Sequence, residues 1–123
     1  MRHRAVPRSE GSIQGSVIGW ARKQLGLRCD KLSSGSVFQK SGLPDFIVWL
    51  PDGRSVKVRA VSPIPQASPL LIEFKKEGEV ATAIQLATHK ELRAMGYEVE
   101  VVDNVEDGKR VILEAIERRK KMR

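Results

Sequence analysis

One α/β domain, with a mixed β-sheet flanked by helices on both sides, is what this 123-residue sequence predicts. Three observations lead there. First, two runs of strand length, Phe46-Ile47-Val48-Trp49-Leu50 and Leu70-Leu71-Ile72-Glu73-Phe74-Lys75, are apolar on both faces for most of their length, as strands covered on both sides must be. Second, apolar residues recur every three to four positions before, between and after the strand-like runs, which marks amphipathic helices. Third, the element order reads α-β-β-β-β-α-β-α with no internal repeat, and such a chain buries its apolar surfaces by layering helices on a sheet. A chain of this length buries a core without help from disulfides or structural metals.

Taken in order, residues 1–8 read as a flexible basic arm, 9–117 as a single domain and 118–123 as a basic C-terminal tail. Ser9 is placed to cap a helix over 10–25, whose stripe is Ile13, Val17, Ala21 and Leu25 with Ile18 beside it, and Gly26 stops it. Gly15 and Gly19 on that helix are read as places where another element comes close. Residues 27–41 are mixed, with a short strand centred on Val37-Phe38 after a Ser33-Ser34-Gly35-Ser36 turn. The turn Gly42-Leu43-Pro44-Asp45 leads into a strand over 45–50, and Pro51-Asp52-Gly53 reads as the turn that ends it.

Residues 56–61 alternate apolar and basic, a half-exposed strand. Pro63, Pro65 and Pro69 exclude helix and central strand from 62–69, leaving an exposed, stiff loop. A second covered strand spans 70–75. A helix over 82–95 follows, with Gln85 on its buried stripe beside Thr88 and Leu92, and Gly96 as its stop. The last strand spans 97–102. The last helix starts from Asp103 as N-cap, with Glu106 at capping-box spacing, runs to about Lys120 and buries Val105, Ile112 and Ile116.

Composition excludes several classes of function. Apolar residues make up 41% and charged residues 30%, the balance of a globular rather than a disordered chain. The lone Cys29 has no partner for a disulfide or a zinc site. No run approaches a membrane span, and the N-terminus lacks the apolar stretch of a signal peptide, so a cytoplasmic protein is expected. The net charge is +7. Its excess lies in Arg2, Arg4 and Arg8 at one end and in Arg118, Arg119, Lys120, Lys121 and Arg123 at the other. Without these residues, acids slightly outnumber bases. Basic ends on a near-neutral body suit a polyanionic partner.

The chemistry lies where acids interrupt the covered strands. A buried carboxylate costs several kcal/mol unless something pairs with it. Asp45 stands at the mouth of one such strand and Glu73 inside the other. Glu73 and Lys75 are two residues apart and so share a strand face, about 6.6 Å apart at about 3.3 Å per residue. Two carboxylates, the Phe74 backbone carbonyl beside them and a lysine are what a divalent cation such as Mg²⁺ and a water-activating base need for phosphodiester hydrolysis. Glu10, in the first turn of its helix, could join the metal directly or through water, and Gln85 could orient a ligand or the nucleophile. Lys57 and Arg59 on the basic-faced strand join the terminal bases Arg2, Arg4, Arg8, Arg118, Arg119, Lys120 and Lys121 as candidate DNA contacts.

In order, Glu10-x-x-Ile13-Gln14, Gly42-Leu43-Pro44-Asp45, Ile72-Glu73-Phe74-Lys75 and Gln85 resemble the VRR-NUC (virus-type replication-repair nuclease) branch of the PD-(D/E)XK nucleases. The resemblance covers about residues 9–103. It implies a restriction-endonuclease-like core and cleavage of DNA dependent on Mg²⁺ or Mn²⁺. Asp45 and Glu73 would be metal ligands, Lys75 the catalytic lysine, Glu10 the helix acid and Gln85 the glutamine of the motif. Small members resemble phage and bacterial proteins that act as homodimers on branched DNA, including four-way (Holliday) junctions, in DNA repair. Two other readings stay open: a nuclease-like scaffold that binds junctions without cutting, and a sequence-specific restriction-type enzyme. Residues 51–69 depart from the pattern and read as a surface hairpin. His3 and His89, lacking metal-like partners, read as surface or structural, Trp20 and Trp49 as core, and Asp30 and Asp52 as turn acids.

Overall fold

The computed structural model describes residues 6–32, 42–56 and 64–121, with the side chains of 52–56 and 64–67 left aside. Ser9 caps the first helix, its hydroxyl accepting the Ser12 N–H, and α1 runs over Glu10–Gln24. Gly26, at φ +64°, turns the chain out of it. Three further blocks follow: β1 (Arg28–Lys31), β2 (Phe46–Val56) and β3 (Ile64–Phe74). Then come α2 (Ala83–Ala94), β4 (Glu98–Val102) and α3 (Val105–Lys121). The sheet order is β1-β2-β3-β4. The first two pairings are antiparallel, and β3 and β4 are parallel, joined through α2. Among the described residues the protein is thus an α/β domain with a four-stranded mixed sheet flanked by helices, compatible with a restriction-endonuclease-like core.

Alternation along the strands decides what each face of the sheet meets. Phe46, Val48 and Leu50 of β2, Leu70, Ile72 and Phe74 of β3 and Val102 of β4 form one buried cluster with Ile13, Val17, Ile18 and Ala21 of α1 and Val111, Ile112 and Ala115 of α3. Each such aliphatic or aromatic side chain contributes about 1.5–3 kcal/mol through burial. Phe46 and Phe74 meet edge to face, with ring centroids 6.0 Å apart. The opposite face carries Ile47, Trp49, Leu71 and Glu73 and is covered in part by α2.

The close approach expected at Gly15 and Gly19 occurs elsewhere. A Cβ at either position would meet nothing within 4 Å. A Cβ at Gly108 of α3 would lie 2.5 Å from Val17 Cγ2, so α1 and α3 touch at Gly108. Asn104, not Asp103, caps α3: its Oδ1 accepts the Asp107 N–H at 2.8 Å. Asp103 instead accepts the Gly78 N–H at 3.1 Å. α3 ends at Lys121, close to the expected Lys120, so the basic residues from 118 to 121 form its last turn.

Three strand expectations change. β1 was not predicted. It is four residues long, only Cys29 of it is buried, and Asp30 is a strand acid rather than a turn acid, accepting from Arg28 and from Trp49 Nε1. β2 does not end at Pro51-Asp52-Gly53. The partner of Pro51 is Ala67 while that of Ser55 is Pro65, so the residues between form an irregularity within a continuing strand. β3 begins at Ile64 and includes Pro65 and Pro69, where a loop was expected. Pairing with β4 starts only at Leu70, so 64–69 is an edge segment on that side and tolerates residues without an N–H. The strand expected at Val37-Phe38 and most of that over 56–61, with Lys57 and Arg59, lie outside the described residues, as do Arg2, Arg4 and His3.

Candidate active site

Asp45 is positioned by the end of the β2–β3 ladder. Phe46 pairs with Ile72, so continuing the register sets Asp45 opposite Glu73, where directly facing side chains have Cβ atoms about 4.5–5.5 Å apart. The Asp45 N–H donates to the Ile72 carbonyl at 3.0 Å. Its Oδ2 accepts the Phe74 N–H at 2.8 Å. Asp45 is therefore tied to the backbone on both sides of Glu73, through its N–H at Ile72 and its carboxylate at Phe74. Gly42, at φ +75°, brings the turn before it onto α2: a Cβ there would lie 2.7 Å from the Ile84 carbonyl oxygen and 3.0 Å from Gln85 Cα. No other residue type fits that turn without moving the helix.

Glu73 is 2% exposed, and Oε1 has no hydrogen-bond partner among the described residues. Burial above all, then the hydrogen bond and charge of Asp45, push its carboxyl up to about 9, against the opposing pull of Lys75. At neutral pH the pair thus holds a proton, as two adjoining acids do when no cation offsets their charge. Lys75 is buried just past the end of β3, its N–H donating to the Val102 carbonyl at 2.8 Å. Glu10 stands at the exposed rim, in the first turn of α1. Burial and the charge of Asp45 raise its carboxyl, and Lys75 and Lys31 act the other way. Asp45, Glu73, Lys75 and Glu10 are thus one electrostatic group, built from the turn before β2, the end of β3 and the start of α1.

Gln85 is the N3 residue of α2. Its Oε1 accepts the N–H of the cap residue Thr82 at 2.9 Å while the Thr82 hydroxyl accepts the Gln85 N–H, a complete capping box. Its oxygen is thereby occupied, and its backbone braces Gly42.

The site contains a residue that the sequence reading set aside. His89 is fully buried, so of the two readings, surface or structural, the first is excluded, and its Nε2 lies 3.6 Å from Glu73 Oε1. Burial first, then Arg93 and Lys75, hold its imidazole below the usual range. Both ring nitrogens are without hydrogen-bond partners among the described residues. Each unmet buried polar group costs about 1–3 kcal/mol. The available signal was its place one helical turn after Gln85. Two charges at the rim were also missed: Lys31, at the end of β1, and Glu79, after β3, both act on Glu10.

Among the described residues, no three His, Cys, Asp or Glu side chains converge closely enough to hold an ion alone. What the site offers a divalent cation is two carboxylates, Asp45 and Glu73, with the Phe74 carbonyl and water completing the shell, and Glu10 at one remove. This hard oxygen set suits Mg²⁺ or Mn²⁺, which keep several waters. The buried, unpartnered Glu73 oxygen fits the position of a ligand to such an ion.

The terminal bases differ from one another. The Arg8 guanidinium donates to the Ser12 and Ser16 hydroxyls, and its N–H to Glu77 Oε2. Arg118 pairs with Glu98 at 3.3 Å. Arg119 is buried, 2.7 Å from Glu98 and hydrogen-bonded to Ser68 and the Pro69 carbonyl, so it fastens α3 to β3 and does not face solvent DNA. Lys120 and Lys121 are exposed. Trp49 is half-buried beside Ile47, Leu71, Leu92 and Tyr97 on the face that α2 covers incompletely. Trp20 packs against the core under Lys109, whose Nζ is 5.5 Å from the ring.

Among the described residues, no helix is long and apolar enough to cross a membrane. No family model matches the chain. A protein of Acyrthosiphon pisum secondary endosymbiont phage 1, named "Putative nuclease p44", is 30% identical over 95 residues, which span 77% of this chain and 83% of the phage protein. With that identity over so much of both chains, this protein belongs to the family of the phage p44 protein.

Proposed function

We propose that the chain is a nuclease that hydrolyses DNA phosphodiester bonds with a divalent cation, Mg²⁺ or Mn²⁺, as a VRR-NUC-type member of the PD-(D/E)XK nucleases. The observation that carries the reading is the Asp45–Glu73 pair, facing each other across two strands with Lys75 on the same side. The name of the phage relative supports the same class of activity.

Asp45 and Glu73 would hold the cation with the Phe74 carbonyl, and Glu10 would reach it through water. When bound, such an ion supplies Lewis-acid polarisation of the phosphate and a lowered pKa for water. Lys75 orients the attacking water and stabilises the anion that develops on the phosphate. Asp45, anchored on the Phe74 N–H, keeps the acids in register as charge shifts. Gln85 braces the turn that delivers Asp45, and its amide NH₂ is the group left to meet a ligand. Lys31 at the rim, Lys120, Lys121 and the bases outside the described residues supply phosphate contacts.

Branched DNA, four-way junctions in particular, is the proposed substrate, and a homodimer the proposed form, since a two-fold pair presents two sites to two related strands. A panel of linear duplex, forked and four-way DNA with Mg²⁺, Mn²⁺ or EDTA tests this. Metal-dependent cutting with preference for the four-way form is expected. Salt-sensitive binding without cutting on any substrate would replace the enzyme with a binding module, and fixed-site cutting of linear duplex would point to a restriction-type enzyme.

A further inference from the structure

His89 borders the site at Glu73. Its ring is fully buried, and Nε2 stands 3.6 Å from Glu73 Oε1. Nε2, Nδ1 and Glu73 Oε1 all lack hydrogen-bond partners among the described residues. Buried polar side chains ordinarily find partners, and here three unmet atoms belong to two side chains in contact. The helix bearing His89 is held rigidly. Its first turn is capped by Thr82 and Gln85, Gly42 packs on the Ile84 carbonyl, and Arg93 donates to the Val99 carbonyl at 2.7 Å. One helix thus touches the turn that carries Asp45 and, one turn later, the side chain of Glu73.

We infer that His89 is a positioning residue for Glu73: its Nε2–H donates to Oε1 and aims the other carboxylate oxygen at Asp45 and at a cation held between them. The inference rests on the metal-dependent reading of the site. A contraction of a few tenths of an ångström brings the pair within hydrogen-bond range. Carboxylates that ligate metals are themselves hydrogen-bonded by a further shell of residues, whose loss lowers metal affinity about 10–100-fold.

Mn²⁺ binding to the full chain, followed by electron paramagnetic resonance of the free ion, tests it on the wild type and on Asp45→Asn, His89→Leu and His89→Gln. The expected result is binding by the wild type, loss in Asp45→Asn, a 10–100-fold weakening in His89→Leu and recovery in His89→Gln, which restores a donor. Wild-type affinity in folded His89→Leu overturns the inference and leaves the metal reading standing. No Mn²⁺ binding by the wild type overturns both. If His89→Leu does not fold, ¹⁵N resonances of the histidines in the wild type carry the test during Mg²⁺ addition. The expected result is a saturating shift at Nε2 of His89 and none at His3, and an unmoved Nε2 overturns the inference.

Discussion

Leu70, Ile72 and Phe74 turn toward α1 and α3, while Leu71, Glu73 and Lys75 turn the other way, and the two sets come from the same six residues. The first face is apolar at its centre, where Ile72 and Phe74 have no exposed surface, with the Arg119–Glu98 pair at its far end. The second buries a carboxyl, a lysine and an imidazole almost as deeply, with three of their polar atoms unmatched. Chain stability alone would have filled positions 73, 75 and 89 with apolar residues. The difference teaches that one face supplies the free energy that holds the other in an unfavourable arrangement, and such an arrangement is what marks a functional site.

The largest effect that separates the faces is on activity. Lys75→Ala or Asp45→Asn should reduce cleavage of a preferred substrate by about 10²–10⁴-fold, with circular dichroism and thermal melting close to wild type. Unchanged cleavage in either folded variant removes that residue from the chemistry and breaks the contrast at its centre. On the other face, Ile72→Ala should cost about 2–5 kcal/mol of stability, read by urea denaturation, while the fraction that remains folded cuts normally. A loss of activity in folded Ile72→Ala would mean that the faces do not divide structure from chemistry in this way.

Much of this division was legible in the sequence. Two-residue periodicity put Glu73 and Lys75 on one side, and the apolar runs named the covered strands. Asp45 was legible because a Gly-x-Pro turn precedes a covered strand. His89 was not, because one histidine on a helix carries no sign of what it faces until the crossover from β3 to β4 lays that helix over Glu73. β1 was hidden because three of its four residues are polar or charged, and an edge strand needs only one buried side chain, here Cys29. The prolines at 65 and 69 argued for a loop since the sequence does not show where β4 begins. Their tolerance depends on β4 starting opposite Leu70. Arg119 read as a tail base because a buried arginine is recognised only from its partners, Glu98 and Ser68.

Smaller effects sharpen the packed face. Gly108→Ala places a methyl 2.5 Å from Val17 Cγ2, and a β-branched side chain on a helix has little freedom to turn away. A cost of about 1–3 kcal/mol is expected. Gly15→Ala, on the open side of α1, should instead stabilise by about 0.5–1 kcal/mol. Paired denaturation curves check both, and equal effects at the two glycines would place the helix contact elsewhere.

The smallest effect reads the polar face directly, as a slope of stability against pH in EDTA. Glu73 is raised from an ordinary value of 4.5 to about 9, so the folded chain keeps a proton that the unfolded chain releases. The stability from this group is complete below about 4.5 and is lost as pH rises toward 9 and through it. His89 is lowered, so below its ordinary value near 6.5 the unfolded chain binds the extra proton and stability rises with pH. The two groups oppose each other between about 4.5 and 6.5, and pH 7–9 is the window in which Glu73 acts without His89. There the unfolding free energy of the wild type in EDTA should fall with pH, at no more than about 1.4 kcal/mol per unit. Glu73→Gln, which cannot ionise, should fall less. Mg²⁺ or Mn²⁺ should raise the wild-type melting temperature more at pH 9 than at pH 7, because the ion takes the place of the proton. Parallel slopes for wild type and Glu73→Gln would mean that Glu73 is ionised throughout, and that the polar face is better solvated than its burial implies.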